Sequence, residues 1–388
     1  MKKTLVALAA VSVVSAFAQS SVTMYGVIDQ GYYSKKNDIA GTATSRSGIG
    51  DDLASSHGEG GLAGSRIGFK GTEDLGGGTT ANFVYEFGLF PSEKTNATPN
   101  SGTAMRIRQG YVSLASGSTG ELQVGRVYTH VWATQNGDYD FGLNNNMYGY
   151  IAGQNGSGNR QANAINYISP NINGFTAGVM VGFGETATTT GTALSSTTGD
   201  KLDEVTSFSL AYRGGPLKVN FASEKTKNHT LHDTIWSVPE SATTYLASKY
   251  QLVGTATAGT TAASSPDATV NALGVSYQVG NYKLGYSNSS MALQGDTSYN
   301  SGSDLKVSLA SYSGEATFGN TVFFGSISKA SNNKATQTTV NSSQLGARYL
   351  MSKRTEAYFI MGSNRIAVSG DTDYVKQSGN VFGIRHQF

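Results

Sequence analysis

The sequence predicts an all-β protein, a 16-stranded antiparallel transmembrane β-barrel. Three observations lead to this prediction. Apolar residues alternate with small or polar ones in segments spread over the whole chain, the gaps between these segments are alternately long and short, and every proline falls in a gap. Alternation with a period of two indicates strands whose two faces meet different surroundings.

The alternation is clear near residue 80, where Phe83, Tyr85 and Phe87 share one face and Asn82 and Glu86 share the other. Segments of this kind begin near residues 21, 65, 79, 105, 121, 160, 175, 206, 217, 271, 281, 304, 321, 343, 355 and 379. A lipid bilayer offers no hydrogen bonds to a sheet edge, so such strands must close into a barrel. With sixteen strands, the barrel is wide enough to keep an aqueous channel.

The gaps support the same fold. Long gaps follow the odd-numbered strands, at about 34–64, 89–104, 128–159, 184–205, 225–270, 288–303, 329–342 and 363–378, whereas short turns follow the even-numbered ones. Long loops on one rim and short turns on the other are typical of outer-membrane barrels. Proline lacks the N–H that a strand ladder needs. The six prolines all lie in gaps: Pro91, Pro99, Pro170, Pro216, Pro239 and Pro266.

Residues 1–18 are predicted to be a cleaved signal peptide, which leaves residues 19–388 as the barrel domain. Lys2 and Lys3 precede the apolar run Leu5–Ala18, which ends in the small-residue pattern Ala16-Phe17-Ala18. No second apolar run reaches the length of a membrane helix. The chain is therefore expected to be exported and to cross the membrane only with strands.

Composition removes several other classes of protein. The 388 residues include 28 lysines and arginines, 26 aspartates and glutamates and no cysteine, and 14% are charged. Disulfide frameworks and thiolate metal sites are excluded, and the balanced charge argues against a nucleic-acid binder. No G-x-S-x-G, H-E-x-x-H or P-loop motif occurs, so we predict no catalytic residues and no cofactor. A metal site at His229, His232 and Asp233 is a minor alternative to the prediction of no metal.

The last strand ends on an aromatic residue. Phe382, Ile384, His386 and Phe388 alternate with Gly383, Arg385 and Gln387. Because this pattern closes an exported chain, we interpret Phe388 as part of a signal for the barrel-assembly machinery. Trp132, in the third long gap, is expected either to pack that loop on the barrel wall or to make an exposed contact.

Several stretches resemble the general porins of Gram-negative bacteria, of the beta-proteobacterial and neisserial type. They are Ser21–Asp29, Ser65–Gly78, Gly125-Arg126, Asn166–Pro170 with Gly174-Phe175, Leu350–Thr355 and Gly383–Phe388. The resemblance implies a homotrimer in the outer membrane, in contact with the bilayer and its lipopolysaccharide, that passes small hydrophilic solutes. It also implies that the third long loop, about residues 128–159, folds into the lumen and faces arginines on the wall.

Strand parity and the resemblance together predict a pore constriction. If Ile67 and Phe69 face lipid, Arg66 and Lys70 face the lumen; Arg106 and Arg108 lie opposite Ile107, and Arg160 shares its parity with Asn166. The wall arginines of the family map onto Arg66, Arg108 and Arg160, for which a solvated position at the rim is the alternative. Asp138 and Asp140 would face them from the loop, and Glu86 is a further charge in the lumen.

A charge count over the predicted lumen gives eleven cations and eight anions. The cations are Arg66, Lys70, Arg106, Arg108, Arg160, Arg213, Lys218, Lys283, Lys306, Arg348 and Arg385; the anions are Asp29, Glu86, Glu121, Asp138, Asp140, Glu224, Asp304 and Glu356. Rings of Arg or Lys in a pore favour anions. We therefore predict a passive diffusion channel with weak to moderate anion preference. A substrate-specific channel is the main alternative, ahead of a barrel enzyme or an adhesin.

Overall fold

The computed structural model describes residues 21–39, 41–50, 61–89, 105–135, 160–186, 201–202, 204–227, 267–294, 304–333, 337–370 and 374–388. Nineteen strands and one short helix lie in this part of the chain. The strands are β1 (Ser21–Ile39), β2 (Thr42–Gly50), β3 (Arg66–Gly76), β4 (Thr79–Leu89), β5 (Met105–Ser116), β6 (Gly120–Tyr128), β7 (Arg160–Ile168), β8 (Phe175–Gly182), β9 (Glu185–Thr186), β10 (Lys201–Leu202), β11 (Glu204–Gly214), β12 (Leu217–Lys227), β13 (Asp267–Val279), β14 (Tyr282–Gln294), β15 (Leu305–Phe318), β16 (Thr321–Asn332), β17 (Thr338–Leu350), β18 (Thr355–Val368) and β19 (Tyr374–Gln387); the helix is α1 (His130–Gln135).

The strands form a closed antiparallel barrel with sixteen positions. Each barrel strand pairs with the next along the chain, and β1 pairs with β19 to close the sheet. The second position is shared by two strands, because β2 and β3 both pair with β1, at its far and near ends respectively. The small pair β9 and β10 forms a separate ribbon.

Backbone hydrogen bonds extend the closure to the last residue. The amide of Gly26 donates to the carbonyl of Phe388 at 3.0 Å, and the amide of Phe388 donates back to Gly26 at 3.1 Å. The Phe388 ring lies directly over Gly26, where a β-carbon would collide with it. The terminal aromatic residue thus fills the seam between the first and last strands.

The predicted fold class is confirmed, and most strands begin within two residues of their predicted start. Differences lie at the long-loop end. β2 falls inside the predicted gap 34–64, and β13, β17 and β19 begin four or five residues earlier than predicted. Pro170 and Pro216 lie in short turns outside the strands, as expected.

The early starts of β13, β17 and β19 have one cause, an inversion of polarity along the strands. Near the short turns the outer face is apolar, with Leu284 62% exposed and Phe323 49% exposed. Towards the long loops the outer residues become polar, and the inner ones become apolar and buried, among them Val270, Leu293, Leu305 and Val340. A prediction that follows apolar residues on the outer face therefore makes these strands too short at the long-loop end.

The third long loop starts inside the barrel. Helix α1 follows β6 directly and packs against the inner faces of β11, β12 and β13. Its Val131 is fully buried in the apolar cluster that lines the inner wall there. Among the described helical residues, no segment is long and apolar enough to cross a bilayer.

We expect Gly26→Ala to destabilise the barrel by about 1–3 kcal/mol, because the new β-carbon would lie 2.6 Å from the carbonyl oxygen of Arg66 and against the Phe388 ring. The temperature at which the folded, heat-modifiable band disappears in detergent measures this loss. Gly314→Ala is the matched control, since the nearest atom to its β-carbon is 3.8 Å away. Equal midpoints for the two variants would contradict the role of the seam.

Candidate functional site

A cluster of charges on the inner wall is centred on Glu86 of β4. The Nε–H of Arg108 donates to Glu86 Oε1 at 2.7 Å, and the hydroxyl of Tyr25 donates to Glu86 Oε2 at 3.1 Å. Arg66 Nε lies 3.7 Å from the same Oε2. Glu86 is only 4% exposed, so a single buried carboxylate holds two guanidinium groups and a phenol from three neighbouring strands.

A local irregularity puts Arg108 in this cluster. Glu86 pairs with Gln109 and Phe87 pairs with Ile107, which leaves Arg108 as the extra residue of β5. Such a bulge re-aims the side chain it carries. Arg108 is 9% exposed and reaches Glu86, while Ile107 stays on the outer face at 44% exposed.

Tyr128, the last residue of β6, joins Arg108 to Arg160. Its hydroxyl accepts a hydrogen bond from Arg160 Nη2 at 3.1 Å and a longer one from Arg108 Nη2 at 3.4 Å. The Arg160 guanidinium carbon also lies 4.6 Å from the centre of the Tyr128 ring, in cation–π range. The two arginines therefore share one phenolic acceptor.

Arg160 was predicted to face the lumen because it shares its parity with Asn166, but the strand is irregular between these two residues. The β6–β7 register shifts between Gly125 and Val127, and Asn163 has a positive φ of 51°, so the alternation from Asn166 to Arg160 is broken. Arg160 reaches the cluster because it is the first residue of β7, opposite Tyr128. The structure thus places Arg160 beside Arg108 by another route.

Lys70 completes the cluster, which we call the arginine cluster (Tyr25, Arg66, Lys70, Glu86, Arg108, Tyr128 and Arg160). Lys70 Nζ lies 5.6 Å from the centre of the Tyr25 ring. Four cations face one carboxylate within this group. The net positive charge lies on the wall of a lumen, where the low-dielectric protein focuses the field.

A second buried carboxylate positions the chain just before Arg66. Asp29 Oδ2 accepts the amides of Leu62 and Ala63 at 2.7 and 2.9 Å, and Asp29 Oδ1 accepts the hydroxyl of Tyr358 at 2.6 Å. The amide of Asp29 bonds to the Ser65 hydroxyl. The side chain of Leu62 is 2% exposed and packs inside the barrel with Tyr358. This clamp fixes residues 62–65 against the inner wall.

The clamp bears on Arg66 directly. Arg66 Nη1 donates to the carbonyl of Gly64 at 3.1 Å, within the segment that Asp29 holds. Across the closing pair, Asp29 stands opposite Arg385, which forms an ion pair with Glu356. Asp29 and Tyr358 are therefore positioning residues for Arg66.

Helix α1 is anchored beside the same wall. Thr129 caps it, accepting the Trp132 amide on its hydroxyl at 3.2 Å, and the Trp132 ring stacks on Tyr128 with centroids 6.3 Å apart. Trp132 is 8% exposed, so the prediction that it packs the loop on the wall is confirmed. His130 Nδ1 lies 3.1 Å from the Ser209 hydroxyl of β11, and its ring covers Gly178 of β8.

A further line of charges follows the inner wall near the short turns. Glu315 lies 3.1 Å from Lys283 and 2.7 Å from Arg348, and Arg348 is also 3.5 Å from Glu356. Here carboxylates alternate with the cations and offset them. In the arginine cluster, by contrast, the described residues include four cations and one carboxylate, which among these cations contacts only Arg66 and Arg108.

Comparison with known proteins identifies the family to which the chain belongs. A profile of the Gram-negative porins matches residues 4–366. The chain belongs to the Gram-negative porin family. It is accordingly a multi-pass β-barrel of the Gram-negative outer membrane, and its family consists of channels rather than enzymes.

Two individual relatives agree with this family assignment. The chain is 37% identical over 239 residues to outer membrane porin protein 32 of Delftia acidovorans, a match that covers 58% of this chain and 61% of that one. It is 32% identical over 194 residues to an outer membrane porin protein of Bordetella pertussis, covering 47% and 48% respectively. The matched region thus spans about half to three-fifths of these porins.

Solved porins share the fold. An anion-selective porin from Comamonas acidovorans superposes with a TM-score of 0.64 at 24% identity, covering 95% of this chain and 100% of that one. The OmpT porin of Vibrio cholerae, in its trimer form, superposes with a TM-score of 0.59 at 14% identity, covering 96% and 100%. At these identities the likeness extends to the barrel and no further.

The other predicted site residues are placed as follows. Arg66, Lys70, Glu86, Arg108 and Arg160 meet in the arginine cluster, whereas Asp138, Asp140 and the side chain of Arg106 lie outside the described residues. The candidate metal group His229, His232 and Asp233 also lies outside them, and within them no group of three or more metal-binding side chains occurs. Residues 1–18 are likewise outside the described part of the porin.

Two placements of lumen charges were wrong, those of Asp304 and Lys306, which share one parity and are both exposed. Lys306 is exposed on the outer face of β15, because the buried neighbours Leu305 and Val307 point inward above the inversion of polarity. Glu315, which the count omitted, lines the lumen. The predicted anion preference therefore rests on the arginine cluster rather than on the total over all strands. The tyrosines that link its arginines were missed, since a phenol in a strand carries no charge pattern.

Removing the Tyr358 hydroxyl should loosen the Asp29 clamp. Tyr358→Phe keeps the ring but leaves a buried carboxylate oxygen without its donor, which costs about 1–3 kcal/mol of stability. We expect a lower denaturation midpoint and, across a salt gradient, a reversal potential shifted towards cations, because Arg66 would be held less firmly on the wall. Tyr312→Phe, on the exposed outer face, is the control. A lower midpoint with an unchanged reversal potential would mean that the clamp does not position Arg66.

The anchoring histidine should make stability depend on pH. Burial lowers the pKa of His130 from 6.5 to about 4, so the folded porin binds fewer protons at this site than the unfolded chain does. Stability is then full above about pH 6.5 and falls as the pH drops towards 4, by up to about 1.4 kcal/mol per pH unit. The difference between the denaturation midpoints of the wild type and His130→Gln at pH 7 and pH 5 measures it. A difference that does not vary with pH would contradict the prediction.

Proposed function

We propose that this porin forms a water-filled channel for the passive diffusion of small hydrophilic solutes and ions, with weak to moderate anion preference. The arginine cluster is the observation that carries the proposal. Within the part of the chain that the structure describes, the cluster brings four cations and one carboxylate, Glu86, together on the inner wall. Fixed cations in a narrow pore raise the local concentration of anions and lower that of cations.

The rest of the inner wall suits an aqueous path. Opposite the apolar outer belt, the inward positions on β14 to β17 include Ser287, Ser311, Ser313, Ser326, Ser342 and Gln344, with Phe324 among them. Hydroxyl and amide groups can hydrogen-bond to water, and a barrel of sixteen strands is too wide for side chains to fill. Solutes would pass by diffusion, without a binding step that saturates.

We assign the pore constriction to Arg66, Arg108 and Arg160 on the wall and to Asp138 and Asp140 on the third long loop. Helix α1 supports this assignment, because it directs the start of that loop inward beside Tyr128. Opposed positive and negative sides would set a field across the pore that orients dipolar solutes. Lys70, Arg106 and Glu86 would adjust the charge around it.

The relatives favour two parts of this proposal. The solved Comamonas porin of the same fold is described as anion-selective, and the Vibrio porin was solved in a trimer form. We therefore extend anion preference and a homotrimeric assembly to this chain. We also propose export by residues 1–18, cleavage before residue 19, insertion by the barrel-assembly machinery acting on the strand that ends at Phe388, and contact with lipopolysaccharide.

Planar bilayers test the channel and its selectivity together. Reconstituted protein should give large conductance steps in triplets and a reversal potential on the anion side across a salt gradient. Arg108→Gln and Arg160→Gln should each move that potential towards cations, and Glu86→Gln should move it towards anions. One charge at this range is worth about 1 kcal/mol in a water-like dielectric, or a change of roughly fivefold or less in the permeability ratio.

Lys225→Gln is the matched control, because Lys225 is on the outer face, paired with Asp267 at 3.3 Å. It should leave the reversal potential unchanged. Cation preference in the wild type would overturn the selectivity, and a current that saturates with one solute would favour a substrate-specific channel. A folded barrel without conductance would overturn the channel itself.

A further inference from the structure

Tyr128 carries no charge, yet it connects two cations of the arginine cluster. It is the last residue of β6, the strand that lies between β5 and β7 in the sheet. Its hydroxyl accepts hydrogen bonds from Arg160 Nη2 of β7 at 3.1 Å and from Arg108 Nη2 of β5 at 3.4 Å. One phenolic oxygen therefore holds two guanidinium groups that come from strands on opposite sides of β6.

The two arginines depend on Tyr128 to different degrees. Arg108 has a second acceptor, because its Nε–H also donates to Glu86 at 2.7 Å. For the Arg160 side chain, the Tyr128 hydroxyl is the one hydrogen-bond acceptor within the described part of the chain, and the Arg160 Nε atom is buried without a partner. The Tyr128 ring adds a cation–π contact to Arg160 at 4.6 Å. The position of Arg160 is thus set mainly by one tyrosine.

The shared acceptor keeps two like charges close together. Both Nη2 atoms bond to the same oxygen, so they lie no further apart than the two hydrogen-bond lengths together. Two guanidinium charges at such a separation repel each other, and charge-assisted hydrogen bonds to one oxygen offset part of that repulsion. Without the hydroxyl, Arg160 would move away from Arg108, whereas Arg108 would stay on Glu86.

Helix α1 fixes Tyr128 from the side of the loop. The Trp132 ring lies almost parallel to the Tyr128 ring, with centroids 6.3 Å apart and an interplanar angle of 18°. The helix itself is held on the inner wall, because Val131 is fully buried in the apolar cluster there and His130 contacts Ser209. Contacts that do not involve the arginines therefore hold the Tyr128 ring in place.

We propose that Tyr128 is a positioning residue that sets the ion selectivity of the pore by holding Arg160 beside Arg108. The inference rests on the proposed channel function and adds an uncharged residue to the groups that decide which ions pass. Selectivity depends on where fixed charges stand as well as on their number, since the field of a charge falls with distance. Two cations held at one point of a lumen wall concentrate that field.

The test replaces the hydroxyl alone, in the full-length mature protein reconstituted in planar bilayers. Tyr128→Phe keeps the ring, its stacking on Trp132 and its contact with Arg160, and it changes no charge in the pore. The reversal potential across a salt gradient should move towards cations. We expect the anion-to-cation permeability ratio to fall by roughly two- to threefold, less than when Arg160→Gln removes the whole charge.

A double-mutant cycle shows whether Tyr128 acts through Arg160. In an Arg160→Gln background, Tyr128→Phe should add almost no further shift, because Arg108 remains bonded to Glu86. Shifts that simply add would mean that the tyrosine acts independently of Arg160, and would overturn the proposal. An unchanged reversal potential in the single variant Tyr128→Phe would overturn it as well.

Two substitutions at Trp132 provide a second route to the same result, which is needed if Tyr128→Phe does not give a folded, heat-modifiable barrel. Trp132→Leu removes the ring that stacks on Tyr128 and should move the reversal potential towards cations, whereas Trp132→Phe keeps an aromatic ring there and should retain the wild-type value. Equal potentials for these two variants would overturn the proposal. Tyr312→Phe is the matched control, because Tyr312 is 57% exposed on the outer face, and it should leave the potential unchanged.

The outcomes separate this inference from the proposed function. A wild type that prefers cations would overturn the proposed anion preference, but a shift in Tyr128→Phe that disappears in the Arg160→Gln background would still support the role of Tyr128. An anion-selective wild type with no shift in Tyr128→Phe would overturn the inference alone. A folded wild-type barrel without conductance would overturn both.

Discussion

Closure of the hydrogen-bond ladder between β1 and β19 is the constraint on which the rest of the structure depends. A bilayer core provides no partner for a free strand edge, so the sheet is stable there only when the last strand returns to the first. The terminal residue takes part, with the Phe388 backbone bonded to Gly26 and its ring seated on that glycine. Closure gives every strand an outer and an inner face. Each side chain then points either to the surroundings of the barrel or to its interior.

The arginine cluster requires an interruption of the regular alternation between the outer and inner faces. A strict alternation cannot place Arg108 beside Glu86 while keeping Ile107 and Val112 on the outer face. The bulge at Arg108 and the shift near Asn163 bring residues from β3, β4, β5, β6 and β7 to one spot. Hydrogen bonds to Glu86 and Tyr128 then hold Arg108 and Arg160, which would otherwise repel each other, and Asp29 holds the segment before Arg66.

The sequence predicted the strand number, the barrel and most of the arginine cluster, because those depend on a period of two that the bilayer imposes. It could not predict features that depend on contacts distant along the chain. The sequence around Tyr358 does not indicate its hydrogen bond to Asp29, 329 positions away in sequence. Likewise, the sequence around Glu315 does not indicate that both Lys283 and Arg348 form ion pairs with it. Lys306 was misplaced for the opposite reason, since the pattern there is regular but inverted.

That inversion links the two charged surfaces of the porin. Within the bilayer a cation is stable only on the inner face, which is where Arg66 and Arg108 lie. Above the bilayer the outer face is wet, the inner face is packed with residues such as Val340 and Ile366, and the cations Lys329 and Arg365 lie on the outside. A single alternating strand, β19, therefore presents Arg385 to the lumen at one height and Lys376 to the outside at another. The position of the bilayer boundary along the strand decides whether a cation is found on the inner or the outer face. Moving a lysine by two residues along a strand keeps it on the same face but can move it from lipid into water.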